Sequence, residues 1–332
     1  MKTLTKLGAF ALALVLVFGS AYVVGRIVGP PAAPAAAAPA PAAEVEPAAG
    51  GLEMVGESMQ IKVLTDSVQA GVPVTFAFQI LQYDGTPLVK YKEQHDKLLH
   101  LIVARRDLTN FQHVHPNLGP DGVWRVPLTF AEAGEYKVFA DFFPLWGIHN
   151  SVVGADVSVA GNFQPHALPP VSNTTTVDGY TLTMKGQLSA GTMHNLTISI
   201  SKDGKPVTDL EPYLAAYGHL VILRDGDMAY LHVHPTGTPG DGKTKSGPDI
   251  EFMATPPSYG VYRMYLNFQH AGVVHTAVFT VNVGGKNPPP HGLDAATYEK
   301  IKAANEKAAL SGGTPQAAGG SGGSSGGMPH GH

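Results

Sequence analysis

The stretch His100-Leu-Ile-Val-Ala-Arg-Arg-Asp-Leu-Thr-Asn-Phe-Gln-His113-Val-His115-Pro116 has a second copy in this chain. The copy reads His219-Leu-Val-Ile-Leu-Arg-Asp-Gly-Asp-Met-Ala-Tyr-Leu-His232-Val-His234-Pro235. Both follow the pattern H-x12-H-x-H-P, and 7 of the 17 aligned positions are identical. Each begins with a run of aliphatic and β-branched residues, which is typical of a β-strand. The duplication indicates two tandem units with one fold.

The repeat extends well beyond this stretch. Gly134-Glu-Tyr-Lys-Val-Phe-Ala-Asp-Phe aligns without gaps with Gly260-Val-Tyr-Arg-Met-Tyr-Leu-Asn-Phe. The two units span residues 52–162 and 176–284, and each consists of short β-type runs separated by turn signals. Units of this size without helical periodicity are typical of β-sandwiches. The sequence therefore predicts an all-β chain with two tandem immunoglobulin-like β-sandwich domains.

The N-terminal sequence predicts a segment that directs export, either a membrane anchor or a cleaved signal peptide. Lys2 and Lys6 precede an apolar run from Leu7 to Gly25, and Arg26 follows it. The run is long enough to span a membrane, and the excess of basic residues before it predicts a cytoplasmic N-terminus. We expect a signal-anchor or transmembrane helix at residues 1–28, a single pass through the cell membrane and an extracytoplasmic bulk. The alternative is a cleaved signal peptide and secretion.

The segments that flank the repeats have low-complexity or linker compositions. Residues 29–51 are rich in Pro and Ala and predict a stalk, and residues 163–175 form a linker. Residues 285–310 predict a Pro-rich segment followed by a short helix with Asp294 at its N-cap. Residues 311–332 form a Gly/Ser/His tail that is predicted to be disordered.

Composition excludes several classes of function. The chain has 332 residues, a net charge of -4 and no cluster of basic residues, so nucleic acid is not an expected partner. It has no Cys, which leaves His, carboxylates, Met or backbone to bind any metal. The globular part has no G-x-S-x-G or H-E-x-x-H motif, so we do not expect an enzyme.

The repeated histidines predict a metal site on a β-hairpin. Arg224-Asp225-Gly226-Asp227 resembles a hairpin with a two-residue type I′ turn. That turn would pair His219 with His232 and set His234 on the same face. The equivalent strand pairing in the first copy of the motif brings His100 beside His113 and His115. The alignment of the later strands supplies one further pair, and the complete candidate ligand set is His100, His113, His115, His149, His219, His232, His234 and His275.

Imidazole ligands without sulfur favour copper, with zinc as the other candidate. The predicted function is accordingly a non-catalytic metal-binding protein, membrane-anchored through its N-terminal helix, with a metal-handling or cell-envelope protein as a possible partner. We expect one independent site in each domain.

A structural role for the histidines is the alternative interpretation. The predicted His face of the second hairpin also carries residues that are typical of a core, namely Tyr217, Val221, Leu223, Met228 and Tyr230. In that case the chain would be a β-sandwich module that binds a protein or cell-envelope partner. The unduplicated histidines are expected at the surface or in linkers: His95, His166, His194, His270 and His291.

The strings Glu211-Pro-Tyr-Leu, Gly218-His-Leu-Val and Leu231-His-Val-His-Pro resemble those of uncharacterised bacterial exported or membrane-anchored proteins. The domains of those proteins are similar to YtkA-like and FixH-like β-sandwiches and, more distantly, to CopC-like ones. The resemblance covers about two-thirds of the chain through its two repeats. It implies an immunoglobulin-like fold and an extracytoplasmic setting. The N-terminal His with which CopC-like metal motifs begin is missing here.

Overall fold

The computed structural model describes residues 14, 16, 18, 19, 50–56, 58–284 and 295–310, and at His232 and His234 it describes the backbone. The predicted membrane helix, stalk and tail lie almost entirely outside this part. Residues 1–45 and 46–332 form two separate compact units. Among the described residues, no helix combines the length and apolar character that a membrane crossing requires.

The first domain is a sandwich of two sheets. Its strands are β1 (Val55–Gly56), β2 (Met59–Val63), β3 (Val68–Gln69), β4 (Pro73–Gln82), β5 (Tyr91–Lys92), β6 (Leu99–Arg105), β7 (Gln112–Val114), β8 (Asn117–Leu118), β9 (Trp124–Thr129), β10 (Gly134–Pro144) and β11 (Ser151–Ala160). One sheet has the order β1-β2-β4-β9-β8. The other has the order β3-β11-β10-β6-β7, with β5 added to β10.

The second domain repeats this arrangement. Its strands are β12 (Thr174–Val177), β13 (Tyr180–Lys185), β14 (His194–Lys202), β15 (Lys205–Pro206), β16 (His219–Arg224), β17 (Tyr230–His232), β18 (His234–Pro235), β19 (Asp249–Ala254), β20 (Gly260–His270) and β21 (Val273–Val283). One sheet is β12-β13-β14-β19-β18 with β15 on β14, and the other is β17-β16-β20-β21. A helix, α1, follows at Ala295–Leu310, in the region where the sequence predicts one.

Each sandwich has its own apolar core. Strands β9 and β19 alternate strictly between buried and exposed residues, as expected when one face of a sheet packs inward. The first core includes Phe76, Phe78 and Trp124, and the second includes Tyr180 and Phe252. These features confirm the prediction of an all-β chain with two tandem immunoglobulin-like sandwiches.

The predicted hairpin register is wrong by two residues. Val221, rather than His219, pairs with His232, and His234 pairs with Met253 of the other sheet. The turn is a four-residue loop, in which the amide of Arg224 donates to the carbonyl of Ala229. The side chains of Arg224 and Asp227 form an ion pair across this loop. Because side chains alternate with a period of two, the shift leaves the predicted face unchanged.

The two domains share a third apolar cluster, which the sequence did not predict. Strand β6 is buried over its whole length, because its two faces pack against different partners. Leu99, Leu101 and Val103 enter the first core, whereas Ile102 and Ala104 enter a cluster with residues of the second domain. The complete shared cluster is Ile102, Ala104, Leu108, Phe139, Val221, Leu223, Met228, Tyr230 and Tyr265. The domains are therefore not independently built.

The contacts across this interface follow the repeat. Phe111 stacks on Tyr265 with ring centroids 4.0 Å apart, and the equivalent pair, Tyr230 and Phe139, has centroids 5.6 Å apart. The Tyr265 hydroxyl donates to the carbonyl of Leu108 at 2.7 Å. The interface is therefore pseudo-symmetric, with equivalent strand positions facing each other.

The segment before the first domain also contacts the second. Gly50 and Tyr230 exchange backbone hydrogen bonds of 3.1 and 3.0 Å. Gly51 has a φ of +70°, and a Cβ at this position would overlap the ring of Phe139. Only glycine meets both requirements without strain. Residues 50 and 51 therefore tie the start of the first domain to the interface.

Candidate metal centre

Three histidines of the first domain converge at the edge of the shared interface. His100 lies on β6, His113 on β7, and His115 directly follows β7. His100 Nδ1 is 3.0 Å from His113 Nε2 and 3.2 Å from His115 Nε2. One ring nitrogen of each residue lies within 4.8 Å of the others, so the three can hold a metal ion together. We call these residues the His triad.

The strand register explains why the His triad forms. Leu101 pairs with Val114, so one residue further along each strand His100 comes opposite His115. Ile102 pairs with His113, two positions away on the same face. The spacing H-x-H on one strand and a partner on its neighbour therefore place three imidazoles on one side of the sheet.

Hydrogen bonds orient the rings of two triad members. The carbonyl of Gln94 only accepts, so His100 Nε2 is the donor in their 3.0 Å contact, and Nδ1 of the neutral ring carries no proton. Asn267 Nδ2 lies 2.8 Å from Thr276 Oγ1, and Asn267 Oδ1 lies 3.0 Å from His113 Nδ1. With the amide in this orientation His113 Nδ1 is the donor, and His113 Nε2 carries no proton. Two nitrogen lone pairs thus face each other.

This arrangement suits a bound cation. Two unprotonated nitrogens at 3.0 Å repel unless a positive ion lies between them. Zinc–imidazole bonds of about 2.0–2.1 Å in tetrahedral geometry separate the ligand atoms by about 3.3 Å. The observed 3.0 and 3.2 Å are close to that separation. The hydrogen bonds to Gln94 and Asn267 also orient the rings, as partners of metal-bound histidines do.

Burial keeps the cluster neutral. It lowers the pKa of His113 well below its usual value, and the nearby His100 and His115 add to the effect. Burial and His100 lower the pKa of His115 to about 3. In the second domain, burial lowers the pKa of His219 to about 4. Neutral imidazole is the form that binds metal, so these rings compete weakly for protons.

The metal-free protein should lose stability in acid. The folded pKa values of these histidines lie below that of an unfolded histidine, about 6.5. The unfolded state therefore takes up more protons as the pH falls from 6.5 toward 4 and 3, and the folded state loses stability over that window. Urea unfolding of chelator-treated protein should give a lower free energy at pH 5 than at pH 7.5. His115→Gln should reduce the difference, and an unchanged difference would contradict this assignment.

The second domain contributes further groups to the surroundings of the His triad. The ring of His219 lies 6.2 Å from that of His113 and 6.5 Å from that of His100, between centroids. Its Nε2 donates to the carbonyls of Tyr213 and Leu214 at 2.8 and 3.0 Å, which repeats the bond of His100 to Gln94. Two matched histidines from the two domains therefore lie side by side across the interface.

Two residues of this region, His95 and Asn267, were not predicted from the sequence. The ring of His95, expected at the surface, lies 5.1 Å from that of His219 and 6.1 Å from that of His100. His95 lies in a turn and has a positive φ. The equivalent residue in the matching turn of the second domain is Leu214, so the repeat has no second His that would single out His95. Asn267 aligns with Asp141, and nothing in that pair predicts a contact with His113.

The remaining predicted ligands lie elsewhere or are described by backbone alone. His149 is exposed in the loop after β10, with Nδ1 3.0 Å from the carbonyl of Asn150. His275 pairs with Phe268 and lies on the same core-facing side of the sheet. Its Nδ1 is 2.7 Å from Asp178 Oδ2. The structure therefore joins neither of them to the His triad. The backbones of His232 and His234 lie on β17 and β18, in register with β16 and β19.

The chain belongs to the family called domain of unknown function DUF8832, whose profile matches residues 54–159 and 175–285. The two matched segments correspond to the two sandwiches. No curated protein matches the chain significantly.

Solved structures resemble the chain at the level of the fold alone. A DUF4426 family protein from Pseudomonas aeruginosa PAO1 is 8% identical, with a TM-score of 0.26, and the match covers 34% of this chain and 95% of that one. A putative membrane anchored protein from Corynebacterium diphtheriae is 9% identical, with a TM-score of 0.21 and coverages of 72% and 61%. Invasin, a bacterial integrin-binding protein, is 15% identical, with a TM-score of 0.21, and the match covers 69% of this chain and 39% of that one.

Proposed function

We propose that this protein binds a transition-metal ion through His100, His113 and His115, in a non-catalytic role. The observation that carries the proposal is the approach of His100 Nδ1 and His113 Nε2 to 3.0 Å, while the other nitrogen of each ring contacts Gln94 or Asn267. His115 supplies a third nitrogen at 3.2 Å. A purely structural cluster would instead be expected to place a proton between each pair of nitrogens.

Copper is the favoured ion and zinc the second. Three imidazoles without sulfur suit Cu²⁺ and Zn²⁺, and the chain contains no Cys. Cu²⁺ binds a given set of nitrogen ligands more tightly than Zn²⁺ does. We therefore expect copper to displace zinc from the His triad in solution.

The other histidines enter the proposal to different degrees. His219, His232 and His234 remain the candidate set of the second domain, because they repeat the motif of the first. His149 and His275 are left out, because the structure does not join them to the His triad. A complete second site would place two ions near the same interface.

The proposed setting is extracytoplasmic. Its support is the basic and apolar N-terminal sequence, the Pro/Ala-rich stretch that follows, and the resemblance to YtkA-like, FixH-like and CopC-like proteins. We propose a cell-membrane anchor at residues 1–28 and a metal-handling or cell-envelope protein as the partner.

Metal titration tests the proposal. The full chain should carry His330→Ala and His332→Ala, which remove the histidines of the tail. Calorimetry with Cu²⁺ and with Zn²⁺ should show saturable binding of at least one equivalent, tighter for Cu²⁺. Absence of saturable binding of either ion at neutral pH would contradict the proposed function.

A further inference from the structure

Asn267 of the second domain contacts the His triad by a direct hydrogen bond. It lies on β20, is 5% exposed, and its Oδ1 is 3.0 Å from His113 Nδ1. The two residues are 154 positions apart in the chain and belong to different sandwiches. A contact of this kind exists only while the two domains are docked.

The Asn267 side chain is held between two partners. Its Nδ2 donates to Thr276 Oγ1 on the neighbouring strand β21, and its Oδ1 faces His113. Two residues earlier on β20, Tyr265 stacks on Phe111 and donates to the carbonyl of Leu108. The docked interface thus fixes the position of the Asn267 side chain that contacts His113.

The repeat supports a cross-domain role for this strand position. Asp141 is the counterpart of Asn267 in the first domain, and it is 3% exposed. Its Oδ2 accepts a hydrogen bond of 2.6 Å from Tyr230 of the second domain. Both domains therefore send a buried acceptor across the interface from the same position.

We propose that Asn267 is a positioning residue for the metal site, so that metal binding and docking of the two domains stabilise each other. The proposal rests on the function proposed above for the His triad. Asn267 holds His113 with its proton on Nδ1 and its Nε2 lone pair toward the ion. Because the hydrogen bond requires docked domains, the coupling is reciprocal: docking raises the metal affinity, and metal strengthens docking.

The test compares substitutions in the full chain with His330→Ala and His332→Ala, using Cu²⁺ as the probe. Asn267→Leu removes the acceptor and should weaken Cu²⁺ binding by about 10–100-fold, the usual effect of losing a partner of a metal-bound histidine. Asn267→Asp retains an acceptor and should retain the affinity. Tyr265→Phe is the matched control, because it removes a cross-domain hydrogen bond without touching His113. It retains the ring and the shared apolar cluster, so the domains stay docked and it should bind Cu²⁺ like the parent.

Hydrogen exchange provides the readout of coupling. Cu²⁺ should slow amide exchange in β16 and β20 of the second domain in the parent and in Asn267→Asp, but not in Asn267→Leu. If Asn267→Leu does not fold, Asn267→Ser replaces it, since a serine side chain is too short to reach His113.

The possible failures are distinguishable. If Asn267→Leu or its serine replacement binds Cu²⁺ as tightly as the parent, while replacement of His113 and His115 removes binding, the positioning role is overturned and the proposed function stands. If replacement of His113 and His115 leaves Cu²⁺ binding unchanged, both are overturned. Equal loss of affinity in Tyr265→Phe and Asn267→Leu would also overturn the positioning role, because general loosening of the interface would then explain both.

Discussion

Replacing His113 and His115 together by alanine is expected to weaken Cu²⁺ binding at the His triad by more than about 100-fold. Loss of a group that merely orients a ligand costs about 10–100-fold, and this variant removes two of three ligand atoms. His100 would then be the one triad member left to bind the ion. Calorimetric titration of the full chain without its tail histidines measures the change.

A control with the same number of histidine changes accompanies this variant. His166→Ala and His194→Ala remove two imidazoles outside the His triad. His166 contacts Glu132, and His194 accepts a hydrogen bond from the backbone amide of Ser189. This double variant should bind Cu²⁺ as the parent does. Equal affinities of the two double variants would show that the His triad is not the binding site.

Replacing Tyr265 by alanine is expected to destabilise the protein by about 3–5 kcal/mol, the usual cost of truncating a large buried aromatic residue. Tyr265 is 1% exposed, stacks on Phe111 and donates to Leu108, so its ring belongs to the interface rather than to either sandwich core. Because the domains share this cluster, the parent should unfold in one cooperative transition in urea. Fluorescence and circular dichroism should report the same midpoint.

Two controls define this effect. Tyr265→Phe retains the ring and should cost only about 0.5–1.5 kcal/mol, the value of a single hydrogen bond. Tyr259→Ala, at a residue that is 57% exposed, should change stability by less than about 0.5 kcal/mol. A parent that unfolds in two separate transitions, with the first unaffected by Tyr265→Ala, would contradict the shared interface.

The fold was predictable because both repeats carry the local signals of strands and turns. The run from Leu99 to Arg105 and its copy from His219 to Arg224 form β6 and β16. The register was not predictable from Asp225-Gly226 alone, since the ion pair of Arg224 with Asp227 closes a longer loop. The grouping of His100, His113 and His115 is unaffected by that error, because a shift of two residues preserves the face of a strand.

The interface was harder to predict than the sandwiches. The core-like character of Val221, Leu223 and Tyr230 was visible in the sequence, but a sequence pattern does not reveal what covers such a face. The structure shows that the other repeat covers it. His95 and Asn267 reach their neighbours in the other domain only through that contact, so no local signal could have identified them.

Metal position in a crystal tests the central claim most directly. Crystals of the Cu²⁺-loaded or Zn²⁺-loaded chain should give an anomalous difference peak at about 2.0–2.1 Å from His100 Nδ1, His113 Nε2 and His115 Nε2. The account predicts that this peak appears and that it disappears in the His113→Ala, His115→Ala variant. Fully loaded crystals with anomalous peaks elsewhere and none at the His triad would contradict it.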